Sequence, residues 1–187
     1  MSRPLKLAIA AVVAAIALGA AAHFYSQIRE GRKGVTLRLA EERDAPLPLR
    51  LETREGVVES SQWLGRPVLV AVWAAWCGPC IQEIPLLIDL QQRHATELTV
   101  VGLNVDSEGW PAVERIRAAF PGINYVIALP QPKPLILGTI VNLDPLGQVS
   151  VLPTAFLLDG QGRLAAKYVG SEAAKSIAGD IDTLLAE

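Results

Sequence analysis

The stretch Pro67-Val68-Leu69-Val70-Ala71-Val72-Trp73-Ala74-Ala75-Trp76-Cys77-Gly78-Pro79-Cys80 holds the only two cysteines of the 187-residue chain. Its first half is an apolar, β-branched run that reads as a strand. Beyond it, Ile81, Ile84, Leu87, Ile88 and Gln91 recur at three- and four-residue steps, the period of a helix. A C-x-x-C pair set between a strand and a helix reads as redox-active. Cys77 then falls at the helix N-terminus, where unpaired backbone N–H groups and the helix dipole favour negative charge. That setting lowers the pKa of the thiol, and the thiolate is the nucleophile. Cys80 lies one turn deeper, within reach of a mixed disulfide formed at Cys77. Pro79 suits a first helical turn because it has no N–H to lose there. Cys77 is therefore read as the attacking cysteine and Cys80 as the resolving one.

Two plainer readings compete. A structural disulfide would be oddly placed in a tight Gly-Pro ring that opens a helix. Structural zinc needs four ligands, and the two histidines, His23 and His94, fall in an apolar segment and at the far end of the helix. No metal site is expected.

The first 25 residues differ from the rest. Arg3 and Lys6 precede an apolar run from Leu7 to Ala22, followed by His23, Phe24 and Tyr25. Such a segment is either a cleavable leader, ending near Ala20-Ala21-Ala22, or a retained membrane anchor with Phe24 and Tyr25 at the interface. The length of the apolar run points to the anchor. Either reading exports the remainder to a compartment that permits disulfides. Residues 26–45 are polar and charged and read as a linker. The chain before Pro46 carries a balance of +3 and the part from Pro46 onward −5, together the net charge of −2. An acidic domain with no basic run argues against a nucleic-acid partner.

Residues 46–187 are enough for one domain with its own core. Leu47 to Glu52 and Val57 to Glu59 pattern as a hairpin across Arg54-Glu55-Gly56. Leu98 to Val105 reads as a buried strand, and Trp110 to Phe120 as a helix ended by Pro121. Thr154 to Leu158 and Leu164 to Val169 read as a strand pair around Asp159-Gly160-Gln161-Gly162. A helix capped by Ser171 and running through Leu185 closes the chain. Between Pro121 and Ser150 the prolines exclude a single regular element; a strand (Ile123 to Leu129) and a short helix (Pro134 to Ile140) are expected. Pro85 should kink the helix that follows the cysteines. Asp106 and Asp144 read as strand-end and turn residues, and Trp63, Trp73 and Trp110 as packing residues. The sum is an α/β fold: a central mixed sheet flanked by helices.

Three blocks carry a resemblance. They are Val70 to Cys80, Val101-Gly102-Leu103-Asn104-Val105-Asp106, and Leu152-Pro153-Thr154-Ala155-Phe156-Leu157-Leu158-Asp159. On these the chain resembles the thioredoxin superfamily, and within it the membrane-anchored TlpA/ResA-like thiol:disulfide oxidoreductases of bacteria. The resemblance implies a thioredoxin-like fold with an N-terminal β-hairpin and a central insertion. It implies a cis peptide bond before Pro153, which lies against the cysteine pair, with Leu152 offering backbone groups to an extended substrate segment. It implies that Trp76, Gly78 and Pro79 line the substrate surface. Glu83 matches a glutamate typical of the subfamily, so a role beside the catalytic cysteines is implied; the plainer reading is an ordinary glutamate early in a helix. Thioredoxin itself has a buried aspartate six residues before its first active cysteine, where this chain has Ala71. A proton relay here must use another group, and Glu83 is the candidate.

The expected function is thiol–disulfide exchange, chiefly reduction of disulfides in other exported proteins, for cytochrome c maturation or metal-site assembly. No cofactor is needed beyond the redox-active pair itself. The resemblance implies a membrane electron donor of the DsbD/CcdA type, and a location at the bacterial inner membrane with the domain in the periplasm or outside, or a soluble periplasmic form after cleavage. A disulfide oxidase or isomerase is the alternative enzyme. A copper-binding metallochaperone is the alternative of another class.

Overall fold

The computed structural model describes residues 35–37, 48–132, 135–137, 140–143, 146–171 and 174–186. The expectations for residues 1–25, most of the linker and Asp144 lie outside these. All the described residues belong to one compact unit, Gly34–Glu187, and no helix among them is long and apolar enough to cross a membrane.

The strand read from the opening stretch is β4 (Val68–Trp73), and all six of its residues are buried. Its side chains alternate between two cores, as the period of a strand requires. Leu69, Ala71 and Trp73 join Leu87, Leu90, Leu157, Tyr168 and Ile181 on one face. Val68, Val70 and Val72 join Trp63, Val101, Leu103, Phe156 and Leu158 on the other. A strand apolar at every position is thus stable only with both sheet faces covered. Each full burial of a leucine- or phenylalanine-sized side chain contributes about 1.5–3 kcal/mol.

Around β4 the sheet is mixed. It has eight strands: β1 (Val35–Leu37), β11 (Leu164–Val169), β10 (Thr154–Leu158), β4, β5 (Thr99–Asn104), β6 (Val126–Gln131), β2 (Arg50–Thr53) and β3 (Gly56–Glu59), in that spatial order. β4 pairs parallel to β5, and β5 parallel to β6, while β10 runs antiparallel to β4. Among the described residues three helices accompany it: α1 (Gly78–Arg93), α2 (Trp110–Ala119) and α3 (Ala174–Leu185). α1 buries Cys80, Ile84, Leu87 and Leu90, the stripe read from the sequence. It continues through Pro85 as one element.

The expected hairpin is β2–β3, turning at Arg54-Glu55, where Thr53 Oγ1 accepts the Glu55 N–H at 3.2 Å and donates to the Gly56 carbonyl at 2.9 Å. Val35–Leu37, inside the segment read as linker, forms a strand that pairs antiparallel with β11 and covers that edge. The strand expected at Ile123 to Leu129 starts later, because the parallel register places Val126 opposite Val101. The short helix expected at Pro134 to Ile140 is not formed. β7 (Leu135–Leu137), β8 (Ile140–Leu143) and β9 (Gly147–Val149) make a separate antiparallel sheet there. Ile136, Ile140 and Val141 are β-branched, and pairing across a hairpin satisfies more backbone groups than one helical turn can. The closing helix is described over Ala174–Leu185, and the expected cap at Ser171 falls where the residues between lie outside those described.

Candidate functional site at the end of the central strand

Cys77 and Cys80 form a disulfide, with Cα atoms 5.3 Å apart. Cys77 is the N-cap of α1, and its sulfur accepts the Cys80 N–H at 3.3 Å. The sulfur thus occupies the place of a capping oxygen and meets the positive end of the helix. Both cysteines are buried, whereas Gly78 and Pro79 are exposed and Trp76 is 72% exposed. An indole this open beside a buried disulfide offers a flat apolar surface to whatever approaches the pair.

The turn before the pair is held by hydrogen bonds from two directions. The Cys77 N–H donates to the Ala74 carbonyl at 3.0 Å and closes the turn. The Ala75 N–H donates to Oδ2 of Asp106 at 3.2 Å, and the Val105 N–H to the Trp73 carbonyl at 2.9 Å. Asp106 is therefore more than a strand-end residue. Its role is invisible in the sequence, since it lies 31 positions from Ala75 and only the parallel β4–β5 pairing brings the two together.

Leu152–Pro153 is a cis peptide bond, as the resemblance implies. A second, Gln131–Pro132, stands at the entry to the inserted sheet, where the sequence pattern carries no sign of it. Thr154 pairs with Val72, so Pro153 falls at the β4 end that leads to the cysteines. Leu152 packs against the core that holds Cys77 and Cys80. The loop is fixed by the Gly170 N–H on the Pro153 carbonyl (2.8 Å) and by Thr154 Oγ1 on the Val151 carbonyl (2.7 Å).

Glu83 is half-buried one turn beyond Cys80, and its Oε1 is buried with no hydrogen-bond partner among the described residues. Burial pushes its carboxyl from the ordinary 4.5 up to about 7. Ala71 is buried in the same core as Cys80, so no acid stands where thioredoxin has its aspartate. Among the described residues no three His, Cys, Asp or Glu side chains group as a metal site. A cavity of about 460 Å³ borders Asp106, with Glu52, Asn104, Trp110, Leu129 and Gln131 in its walls.

Residues 42–185 match the Redoxin family. Over 41 residues the chain is 54% identical to a thioredoxin of Alicyclobacillus acidocaldarius, a match covering 22% of this chain and 39% of that protein. It is 26% identical over 148 residues to the thiol-disulfide oxidoreductase ResA of Bacillus subtilis, covering 79% of this chain and 75% of ResA. Among solved structures, a DsbF homologue from Corynebacterium diphtheriae superposes with a TM-score of 0.67 at 27% identity, covering 81% of this chain and 93% of that one.

Proposed function

The chain belongs to the redoxin family, in the TlpA/ResA-like part of the thioredoxin superfamily, and from that premise we propose that it is an exported thiol–disulfide oxidoreductase that reduces disulfides of other exported proteins. The observation that carries the reading is the Cys77–Cys80 pair capping α1 beneath an exposed Trp76. In the reduced pair the Cys77 thiolate attacks one sulfur of a partner's disulfide. The partner's S–S bond breaks, its other sulfur leaves as a thiolate and takes a proton, and a Cys77–partner disulfide forms. The Cys80 thiolate then attacks Cys77 Sγ, and the partner's second sulfur leaves. Two electrons have passed to the partner, and Cys77–Cys80 is oxidised.

Glu83 is the proton acceptor for Cys80 in this scheme. A carboxyl with a midpoint near 7 is about half ionised at neutral pH, able both to take the Cys80 proton and to return it. Trp76, Gly78 and Pro79 form the docking surface, with Leu152 and Pro153 aligning an extended partner segment by backbone pairing. The substrates are exported proteins awaiting cytochrome c maturation or metal-site assembly. The apolar N-terminal segment anchors the domain at the bacterial inner membrane, where a donor of the DsbD/CcdA type re-reduces the pair.

The reduction potential of Cys77–Cys80, from equilibration with glutathione, tests the direction. A strongly reducing value supports the reductase; an oxidising one transfers the role to disulfide formation or isomerisation. Cys80→Ser should accumulate partners as mixed disulfides on Cys77, and recovery of none from cells would sink the exchange mechanism. Stoichiometric Cu(I) binding by the reduced protein, surviving a chelator, would favour the metallochaperone instead.

A further inference from the structure

We propose that Asp106 is the positioning residue of the redox pair: its carboxylate clamps the Ala75 amide and sets a fixed negative charge against thiolate formation at Cys77. The proposal rests on the exchange function above and assigns that site a control on its poise.

The clamp is built from one side. Asp106 Oδ2 takes the Ala75 N–H (3.2 Å) and Oδ1 takes the Glu108 N–H (3.2 Å). Its own N–H goes to Oδ1 of Asn104 (3.1 Å), a side chain only 1% exposed at the end of β5, and its carbonyl takes the Gly109 N–H (3.0 Å). With both oxygens and both backbone groups engaged, the carboxylate is held in place rather than drifting on a flexible stem. Ala75 is the second residue of the turn that the Cys77 N–H closes on Ala74, so fixing its amide fixes the route into Cys77.

The charge acts in opposition to the helix. At the α1 N-terminus the Cys80 N–H and the helix dipole stabilise a Cys77 thiolate. Two residues of chain, at most about 7 Å even when extended, separate the clamped amide from Cys77. That is within one Debye length, and burial of Cys77 weakens the screening. The other charged groups of this corner do not cancel it. Arg115 feels the Asp106 charge, but its guanidinium is spent on both oxygens of Glu108 (2.8 and 2.9 Å). Glu83, on α1, and Glu52, which shares the cavity wall with Asp106 and among the described residues bonds only the neutral Trp110 and Gln131 side chains, carry the same sign when ionised. A thiolate that is disfavoured makes the disulfide harder to reduce and the dithiol a better reductant.

Asp106→Asn keeps an oxygen for the Ala75 N–H and removes the charge, whereas Asp106→Ala removes both. In the full chain, the rate of Cys77 alkylation by iodoacetamide against pH reports the thiolate directly. For the Asn variant the midpoint should move about 0.5–1 pH unit lower, a three- to tenfold gain in the thiolate-to-thiol ratio. Above that midpoint the potential should become less reducing by about 15–30 mV, the same factor at 29.6 mV per tenfold. The Ala variant should add a slower exchange with protein disulfides. An unchanged midpoint and potential in Asp106→Asn would overturn the proposal, and if the Ala variant fails to fold the Asn variant still decides. These readouts need only a reducible pair. A wild-type disulfide that no thiol reduces would instead refute the exchange function itself.

Discussion

At Glu83 packing alone resets the ionisation of a single carboxyl. Nothing in the C-x-x-C spacing marks it, and a glutamate early in a helix is common. Its buried Oε1, unpaired among the described residues, and its midpoint raised to about 7 distinguish it from such a residue. The sign of the linked effect on stability follows from proton binding. The unfolded chain releases this proton near 4.5, the folded one near 7, so between the two the folded state binds more protons. Stability from this group is full below pH 4.5, falls as pH rises through 7, and is level above. After discounting for partial exposure the loss is about 1–2 kcal/mol. Glu83→Gln should flatten that part of the denaturation curve measured from pH 4.5 to 8. It should also remove the ionisation near 7 from the pH profile of exchange; a profile unchanged by the substitution would return Glu83 to an ordinary helical role.

At the scale of elements, β5 illustrates why a strand with a glycine is still a core strand. A Cβ on Gly102 would stand 2.9 Å from Cε2 of Tyr125 and 3.1 Å from Nε1 of Trp73. The aromatic rings occupy the volume that a side chain would need, and both belong to the core that includes Cys77 and Cys80. Gly102→Ala should therefore destabilise by about 1–3 kcal/mol through overpacking, read as a lower midpoint in urea with an unchanged slope. Because Trp73 ends β4 immediately before the redox turn, the variant should also slow exchange. A second element-scale lesson is the insertion between β6 and β10. Prolines there signalled irregularity, but proline content does not say what forms between breaks. Strand partners for Leu135–Leu137 and Ile140–Leu143 exist only once the chain folds back.

For the molecule as a whole, the described residues form a unit from Gly34 onward, with β1 closing one sheet edge on β11. A chain begun at Gly34 should fold and exchange disulfides with dithiothreitol at the rate of the full-length protein, as circular dichroism and stopped-flow assays would measure. A chain begun at Pro46 lacks β1 and leaves the β11 edge open; it should be less stable and more prone to self-association. Should the two behave alike, β1 contributes nothing to the fold.

Local sequence is enough to specify the central strand, the cysteine-opened helix and the β10–β11 pair, because each is written in short-range periodicity and in residues whose backbone preferences are strong. It also marked the redox chemistry, since the acidity of Cys77 depends on a helix start that lies within a few residues of it. The cis bond at Leu152–Pro153 is legible only through the family resemblance of the surrounding block, not through propensity. Tertiary structure alone decided the rest. Asp106 meets Ala75 across a parallel strand pair, Glu83 acquires its raised midpoint from the side chains that bury it, and Val35–Leu37 becomes a strand by finding an edge. These are properties of what packs against a residue, and no single stretch of chain contains its own neighbours.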